Sequence, residues 1–111
     1  MSPPAKYILA FDLGTSGPKA ALISTRGEVA GHEFEAVPLL LLPDGGAEQN
    51  PDDWWSALMA CARRLLARGL VPPGDIVAVA CSGHFSGTVP VGRDGRHLMN
   101  AIIWMDTRGA P

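Results

Sequence analysis

The chain has 111 residues, with 9 basic and 11 acidic side chains and a formal net charge of −2. This length allows at most one domain and is long enough for a buried core. The near balance of charge argues against a strongly basic nucleic-acid binder, and the 47% hydrophobic content argues against a polyacidic disordered tail.

No segment has the features of a targeting or membrane-spanning sequence. Residues 1–6 lack the apolar stretch and cleavage site of a signal peptide, and the leucine run at 39–42 is far shorter than the roughly 20 residues that cross a bilayer. The two cysteines, Cys61 and Cys81, are too few for a disulfide scaffold, and both lie in apolar segments. We expect buried, reduced thiols, a cytoplasmic protein and no membrane partner.

The first third of the chain predicts three strands. Apolar runs at residues 7–11, 19–23 and 29–37 are separated by two short segments rich in Gly, Ser and Thr. Runs of this length bounded by turn residues are typical of strands, and tight turns join antiparallel neighbours. The sequence therefore predicts an antiparallel three-stranded meander.

A helix is predicted to begin after an irregular, proline-bounded segment at 38–49. Asn50 is a suitable N-cap, Pro51 suits the first helical position, and Asp52 and Asp53 follow in the first turn. Gly69 is predicted to end the helix. An apolar stripe at helical spacing is expected to face the core and consists of Trp54, Trp55, Leu58, Met59, Ala62, Leu65 and Leu66.

The remaining chain predicts further strands around polar loops. Residues 75–81 predict a strand buried on both faces, and the polar loop at 82–87 follows its carboxyl end, where ligands bind in open α/β sheets. Residues 88–91 predict another strand and 93–96 a hairpin turn. A last apolar run at 101–104 precedes Asp106.

The first candidate site lies in the turn after the first strand. A carboxylate, Asp12, is followed by Gly14, Thr15, Ser16 and then Lys19. Glycines let backbone N–H groups approach an anion, hydroxyls add donors, and a carboxylate can hold Mg²⁺ beside phosphate oxygens. The segment is neither a Walker A loop nor a dinucleotide fingerprint. Taken alone, it is equally consistent with a phosphate grip and with an ordinary hairpin turn.

Two further candidates follow later strands. His84 could act as a base, a metal ligand or a donor to a substrate hydroxyl, or could be a loop histidine bonded to backbone. The histidines are scattered, so zinc is not expected, and neither is a nucleophilic pair with Cys81. Asp106 and Arg108 suit either a sugar contact or a strand-terminal ion pair. The adjacent Trp54 and Trp55 favour core anchoring over a stacking platform.

The order and spacing of these segments resemble the N-terminal end of the FGGY family of carbohydrate kinases, with the xylulokinase-like branch nearest. Four motifs in family order carry the resemblance, which extends from about Tyr7 to Arg108. They are DLGTSG at residues 12–17 with Lys19, EQNP at 48–51 before the tryptophan pair, the loop from Ser82-Gly83 to Gly87, and IWMDTR at 103–108. The resemblance implies an α/β, actin-like and ribonuclease H-like fold, of which residues 1–111 form part of the first domain.

The family resemblance also implies ATP, Mg²⁺ and a small-molecule sugar or polyol as ligands. It implies that the phosphates and the metal face Asp12, Gly14, Thr15, Ser16 and Lys19, with Asp12 as the metal ligand. It implies that the sugar side is lined by His84, Phe85, Ser86, Asp106 and Arg108. Typical xylulokinases carry Gln-Met-His where this chain has residues 84–86, so the sugar stays open.

Family members are several times longer than this chain. The resemblance places the general-base aspartate and the adenine pocket beyond Pro111, so we expect an N-terminal fragment that is inactive alone. Such a fragment would expose sheet edge and need the remainder of its chain, or another copy, for order. Two alternatives are a non-catalytic actin-like module that senses sugar or binds a partner, and a free-standing small α/β binding domain.

Overall fold

The computed structural model describes residues 3–111 and contains seven strands, one α-helix and one 3-10 turn. Met1 and Ser2, which begin the segment considered for targeting, lie outside the described residues. In chain order the elements are β1 (Tyr7–Leu13), β2 (Pro18–Ser24), β3 (Val29–Phe34), β4 (Leu40–Leu41), β5 (Ala47–Gln49), α1 (Pro51–Ala67), the 3-10 turn (Pro73–Asp75), β6 (Ile76–Ser82) and β7 (Ala101–Ile102).

The main sheet has four strands in the order β3-β2-β1-β6. β1 pairs antiparallel with β2, and β2 pairs antiparallel with β3, which confirms the predicted meander. After α1 the chain returns along the other side of β1, and β6 runs parallel to it. The carboxyl ends of β1 and β6 therefore meet at one edge of the sheet, where Asp12 is the register partner of Ser82.

The helix begins where the capping residues predict. The Asn50 side chain accepts a hydrogen bond from the Asp52 amide at 2.9 Å, Pro51 occupies the first turn, and two aspartates lie near the positive end of the helix dipole. At the other end, Ala67 is the last helical residue and Gly69 adopts a φ of 64°. That left-handed conformation suits glycine and ends the helix.

The main core lies between α1 and the sheet, because α1 packs over β2, β3 and β1. The buried residues of this core come from β1, β2 and α1 and are Leu9, Ala20, Leu22, Cys61, Ala62 and Leu65. The predicted stripe is wrong at Trp55 and Leu66, which are 64% and 44% exposed. The sheet contacts only a narrow arc of the helix, so residues at the margins of the broad stripe face outward.

A second, smaller sheet has the order β4-β5-β7 and carries its own core of Ala47, Ala101 and Ile103. The segment expected to be irregular, residues 38–49, therefore contains two short strands. The strand expected at residues 88–91 is absent from the described chain. Thr88 and Val91 make only isolated bridges, to Ile102 and His97 respectively, around the predicted hairpin turn.

Burial of β6 differs from the expectation. Six of its seven residues are exposed, including Val77 and Val79, whereas the sequence predicts a strand buried on both faces. β6 is an edge strand of this sheet, and α1 lies over the other strands. Cys81 is exposed for the same reason, while Cys61 is buried as predicted, and both thiols are free. Within residues 3–111, no helix has the length and hydrophobicity to span a membrane.

Candidate functional site

The turn between β1 and β2 is tight and clamped against the chain that follows β3. The Gly17 amide donates to the Gly14 carbonyl at 3.2 Å, and the Val37 amide donates to the Ser16 carbonyl at 3.1 Å. Gly17 has a φ of 147°, and a Cβ atom there would overlap the Glu35 carbonyl oxygen. Only glycine fits at this position, so the sequence pattern and the close backbone approach agree.

Asp12 lies near the carboxyl end of β1, on the sheet face opposite to α1. Side chains alternate along a strand, so Asp12 points away from the face on which Leu9 meets the helix. Its carboxylate is exposed and accepts a hydrogen bond from the Ser82 hydroxyl at 2.9 Å. Lys19 is its register partner on β2 and shares that open face. The pairing of β1 with both neighbours thus gathers a carboxylate, a cation and a hydroxyl.

A cleft of about 300 Å³ opens beside this turn. The residues that line it come from the β1–β2 turn, the loop after β6 and the segment after β7, and they are Asp12, Leu13, Gly14, Thr15, Gly83, His84, Phe85 and Trp104. The structure therefore brings together five of the site residues predicted from sequence. Lys19 is not among these lining residues and lies on the adjoining open face, with Asp12 and Ser82.

The polar residues under the turn include one that sequence reasoning missed. Gln49, at the end of β5, is fully buried and donates through Nε2 to the Thr15 carbonyl at 2.7 Å. Its Oε1 accepts from the Trp54 indole at 2.9 Å, and the Trp104 indole donates to the Thr15 hydroxyl at 2.8 Å. The sequence signal available was its place in the EQNP motif, which contributes to the family resemblance but assigns no role to this amide.

The three predicted sugar-side residues in the loop after β6, His84 to Ser86, differ in burial and in backbone conformation. The His84 ring lies 5.0 Å from the Trp54 ring, and both of its nitrogens are buried without a hydrogen-bond partner among the described residues. Phe85 is 88% exposed at the cleft. Ser86 has a φ of 61°, an uncommon conformation for a residue other than glycine. A buried ring nitrogen without a partner is costly and favours a polar ligand or neighbour at this position.

Asp106 and Arg108 lie outside the lining of the cleft and form an ion cluster with Glu48. Arg108 Nη2 is 2.6 Å from Asp106 and 2.7 Å from Glu48, and the Asp106 carboxylate also accepts from the Ala47 amide at 2.8 Å. Hydrogen bonds from Arg108, and then the one from Ala47, hold the pKa of Asp106 well below its ordinary value. The cluster ties the segment after β7 to β5. Contact of these two residues with a sugar stays a prediction.

The donor set fits Mg²⁺ held mainly by a ligand's phosphates. Within residues 3–111 there is no group of three or more His, Cys, Asp or Glu side chains placed to hold a metal. Mg²⁺ is commonly bound through one or two carboxylates together with substrate phosphates. The exposed Asp12 carboxylate, beside the Gly14–Thr15 backbone, offers that arrangement.

A larger cavity, about 660 Å³, lies elsewhere, between the start of α1 and the hairpin at residues 91–97. None of the residues that sequence predicts for a site lines it. His97 Nε2 lies 3.2 Å from Asp52 there, and this contact raises the pKa of His97. The smaller cleft is the candidate site because the Asp12 carboxylate, Thr15 and two glycines line it together with His84.

Comparisons with known proteins give matches over most of this chain. The family model described as "FGGY family of carbohydrate kinases, N-terminal domain" matches residues 7–111. A xylulose kinase from Bacillus subtilis is 36% identical over 96% of this chain and 21% of its own length, and a glycerol kinase from Xanthobacter autotrophicus is 35% identical over 96% and 22%. A solved xyloylose kinase from Brucella ovis superposes with a TM-score of 0.85 at 30% identity, over 92% of this chain and 21% of that one. The chain thus spans about a fifth of each relative.

Replacement of Gly17 tests the tight turn. Gly17→Ala is expected to lower the free energy of unfolding by about 1–3 kcal/mol more than Gly27→Ala, measured by urea denaturation. Both glycines have positive φ, but a Cβ atom at Gly27 meets nothing within 4 Å. The difference between the variants therefore isolates the overlap with Glu35. Equal losses would contradict the close approach.

The ion cluster predicts that the stability of the fold decreases at acidic pH. The folded pKa of Asp106 lies below its ordinary value of 3.8, so its stabilisation is present above that value and is lost as pH falls through the folded pKa. Asp106→Asn is expected to lower the urea midpoint at neutral pH and to flatten its decline below about pH 4. Parallel pH profiles for the two proteins would contradict this role.

Proposed function

Because the chain belongs to the FGGY family of carbohydrate kinases, we propose that the protein containing it transfers a phosphoryl group from ATP to a hydroxyl of a small sugar or polyol, as a xylulokinase-like enzyme. One observation carries this proposal: a single cleft joins the glycine- and hydroxyl-rich turn after β1 to the polar loop after β6. A phosphate donor and a hydroxyl acceptor must meet at such a junction for the transfer to occur.

The turn after β1 is proposed to bind the phosphates of ATP. Backbone amides of residues 14–16 and the hydroxyls of Thr15 and Ser16 would donate to phosphate oxygens, and Lys19 would add positive charge from the neighbouring strand. Asp12 would hold Mg²⁺, which when bound neutralises charge on the phosphates. The Ser82 hydroxyl, 2.9 Å from Asp12, orients that carboxylate. Positioning and charge are the main requirements of phosphoryl transfer.

The opposite wall of the cleft is proposed to bind the sugar. His84 supports this role because its ring nitrogens lack partners among the described residues, and a sugar hydroxyl would supply one. Phe85 and Trp104 offer exposed aromatic surface to the ring carbons. Ser86 adds a hydroxyl to the same loop. Asp106 and Arg108 are proposed to reach the sugar through the Arg108 N–H groups that remain outside the ion cluster.

The test is a sugar-dependent release of ADP by the complete native protein, across ketoses, aldoses and polyols. Phosphorylation of a ketopentose or polyol is expected, and Asp12→Asn is expected to reduce kcat at least about 100-fold through loss of the metal-binding carboxylate. Asp94→Asn is the matched control, because Asp94 lies in an exposed turn and accepts from the Arg96 amide. Tight sugar binding without ADP release on any substrate would overturn the proposed enzymatic function in favour of a sugar-sensing module.

The same assay applied to residues 1–111 alone is expected to give no sugar-dependent ADP release. The residues of this chain supply the phosphate turn and one wall of the sugar cleft, and family resemblance assigns the general base and the adenine pocket to later residues. Adding the later part of the native protein as a second chain is expected to restore ADP release. Turnover by the purified 111-residue chain would contradict this division of roles.

A further inference from the structure

We propose that Gln49 is a positioning residue that holds the turn after β1 in its anion-binding geometry, through hydrogen bonds that run from Trp54 to Gln49 and from Gln49 to Thr15. Gln49 lines neither the cleft nor the open face that carries Asp12. It acts on a ligand only through Thr15. The inference rests on the proposed function of this turn as a phosphate site.

The chemistry of its neighbours fixes the orientation of the Gln49 amide. An indole N–H is only a donor and a backbone carbonyl is only an acceptor. Trp54 must therefore meet the amide oxygen, at 2.9 Å, and the Thr15 carbonyl must meet the amide nitrogen, at 2.7 Å. Rotation of the amide by half a turn would oppose donor to donor and acceptor to acceptor. Since Gln49 is fully buried, water cannot replace either partner.

Two effects on Thr15 follow from these contacts. Its carbonyl is held toward the buried amide, so the negative end of that dipole is kept away from an anion in the cleft. The Thr15 hydroxyl accepts a hydrogen bond from the Trp104 indole N–H at 2.8 Å. A hydroxyl has one proton and accepts with its lone pairs, so this contact leaves the proton available to donate into the cleft that Thr15 lines. The turn is thus pre-organised for phosphate before any ligand binds.

Gln49→Glu removes one of the two contacts selectively. A carboxylate of the same shape still accepts from Trp54 but cannot donate to the Thr15 carbonyl. In the complete native protein, KM for ATP is expected to rise about tenfold, as for the loss of a hydrogen bond that leaves a buried acceptor unpaired, while KM for the sugar stays within about twofold. A general loss of structure would not separate the two KM values.

The pH profile of Gln49→Glu gives a second readout. Burial raises the pKa of a carboxyl group, and the protonated form regains a donor for the Thr15 carbonyl. The ratio of variant to wild-type KM for ATP is therefore expected to fall toward one between about pH 8 and about pH 6. Gln49→Met has similar length but no donor at any pH, and its ratio is expected to stay constant.

Neighbouring tryptophans provide a matched pair that leaves Gln49 in place. Trp54→Phe removes the donor that orients the amide and is expected to raise KM for ATP about threefold, roughly half the free-energy effect of a full hydrogen-bond loss. Trp55→Phe is the control, because Trp55 is 64% exposed and lies outside this network. Equal effects of the two substitutions would overturn the positioning role.

Calorimetric titration with ATP, without sugar, separates this inference from the proposed function. Weaker ATP binding by folded Gln49→Glu and by Trp54→Phe supports the positioning role of Gln49. If the wild-type protein also phosphorylates no sugar, the proposed reaction alone fails. Unchanged ATP affinity in both variants overturns the positioning role. A wild-type protein that does not bind ATP overturns it as well, because the turn would then hold no phosphate.

Discussion

Parallel pairing of β1 with β6 is the constraint on which the rest of the candidate site depends. Two strands that run the same way end at the same edge, so Asp12 and Ser82 become neighbours although 70 residues separate them. The turn that follows β1 and the loop that follows β6 then open into one cleft. An antiparallel partner for β1 on this side would place that loop at the opposite edge, and the cleft would not exist.

The second sheet supports the turn that lines the cleft. β5 and β7 pair antiparallel, and the Glu48–Asp106–Arg108 cluster binds the segment after β7 to β5. As a result Gln49, at the end of β5, and Trp104, after β7, have fixed positions relative to each other. Both then bond to Thr15, one at its carbonyl and one at its hydroxyl. The small sheet thus supports a turn that belongs to the main sheet.

Local chemistry in the sequence predicts the elements whose ends carry specific residues. The N-cap at Asn50, the left-handed glycine after α1 and the glycine-rich turn after β1 all occur where their residue types indicate. The meander is predictable because tight turns join adjacent strands. Family resemblance, confirmed by the match over residues 7–111, supplied the fold that joins these pieces.

Features that depend on distant residues are the ones that local pattern could not give. The run Ile76–Ser82 has the composition of a central strand, but its exposure depends on how many strands and helices lie beside it, which the run itself does not encode. β4 and β7 have two residues each, too few to show a period of two. The proposed role of Gln49 depends on Thr15, 34 residues away, and its place in the EQNP motif does not reveal that hydrogen-bond partner.

The ion cluster shows why a motif can be correct in position and still ambiguous in role. Asp106 and Arg108 follow a buried strand and lie near the cleft, as a sugar-binding pair would. Their carboxylate and guanidinium groups already bond to each other, to Glu48 and to the Ala47 amide, so a ligand would meet only the Arg108 N–H groups left outside the cluster. His84 is in the opposite situation, since its nitrogens have no such partners in the described chain. Unmet hydrogen-bonding capacity, more than charge, therefore favours His84 over the Asp106 carboxylate as a proposed sugar contact.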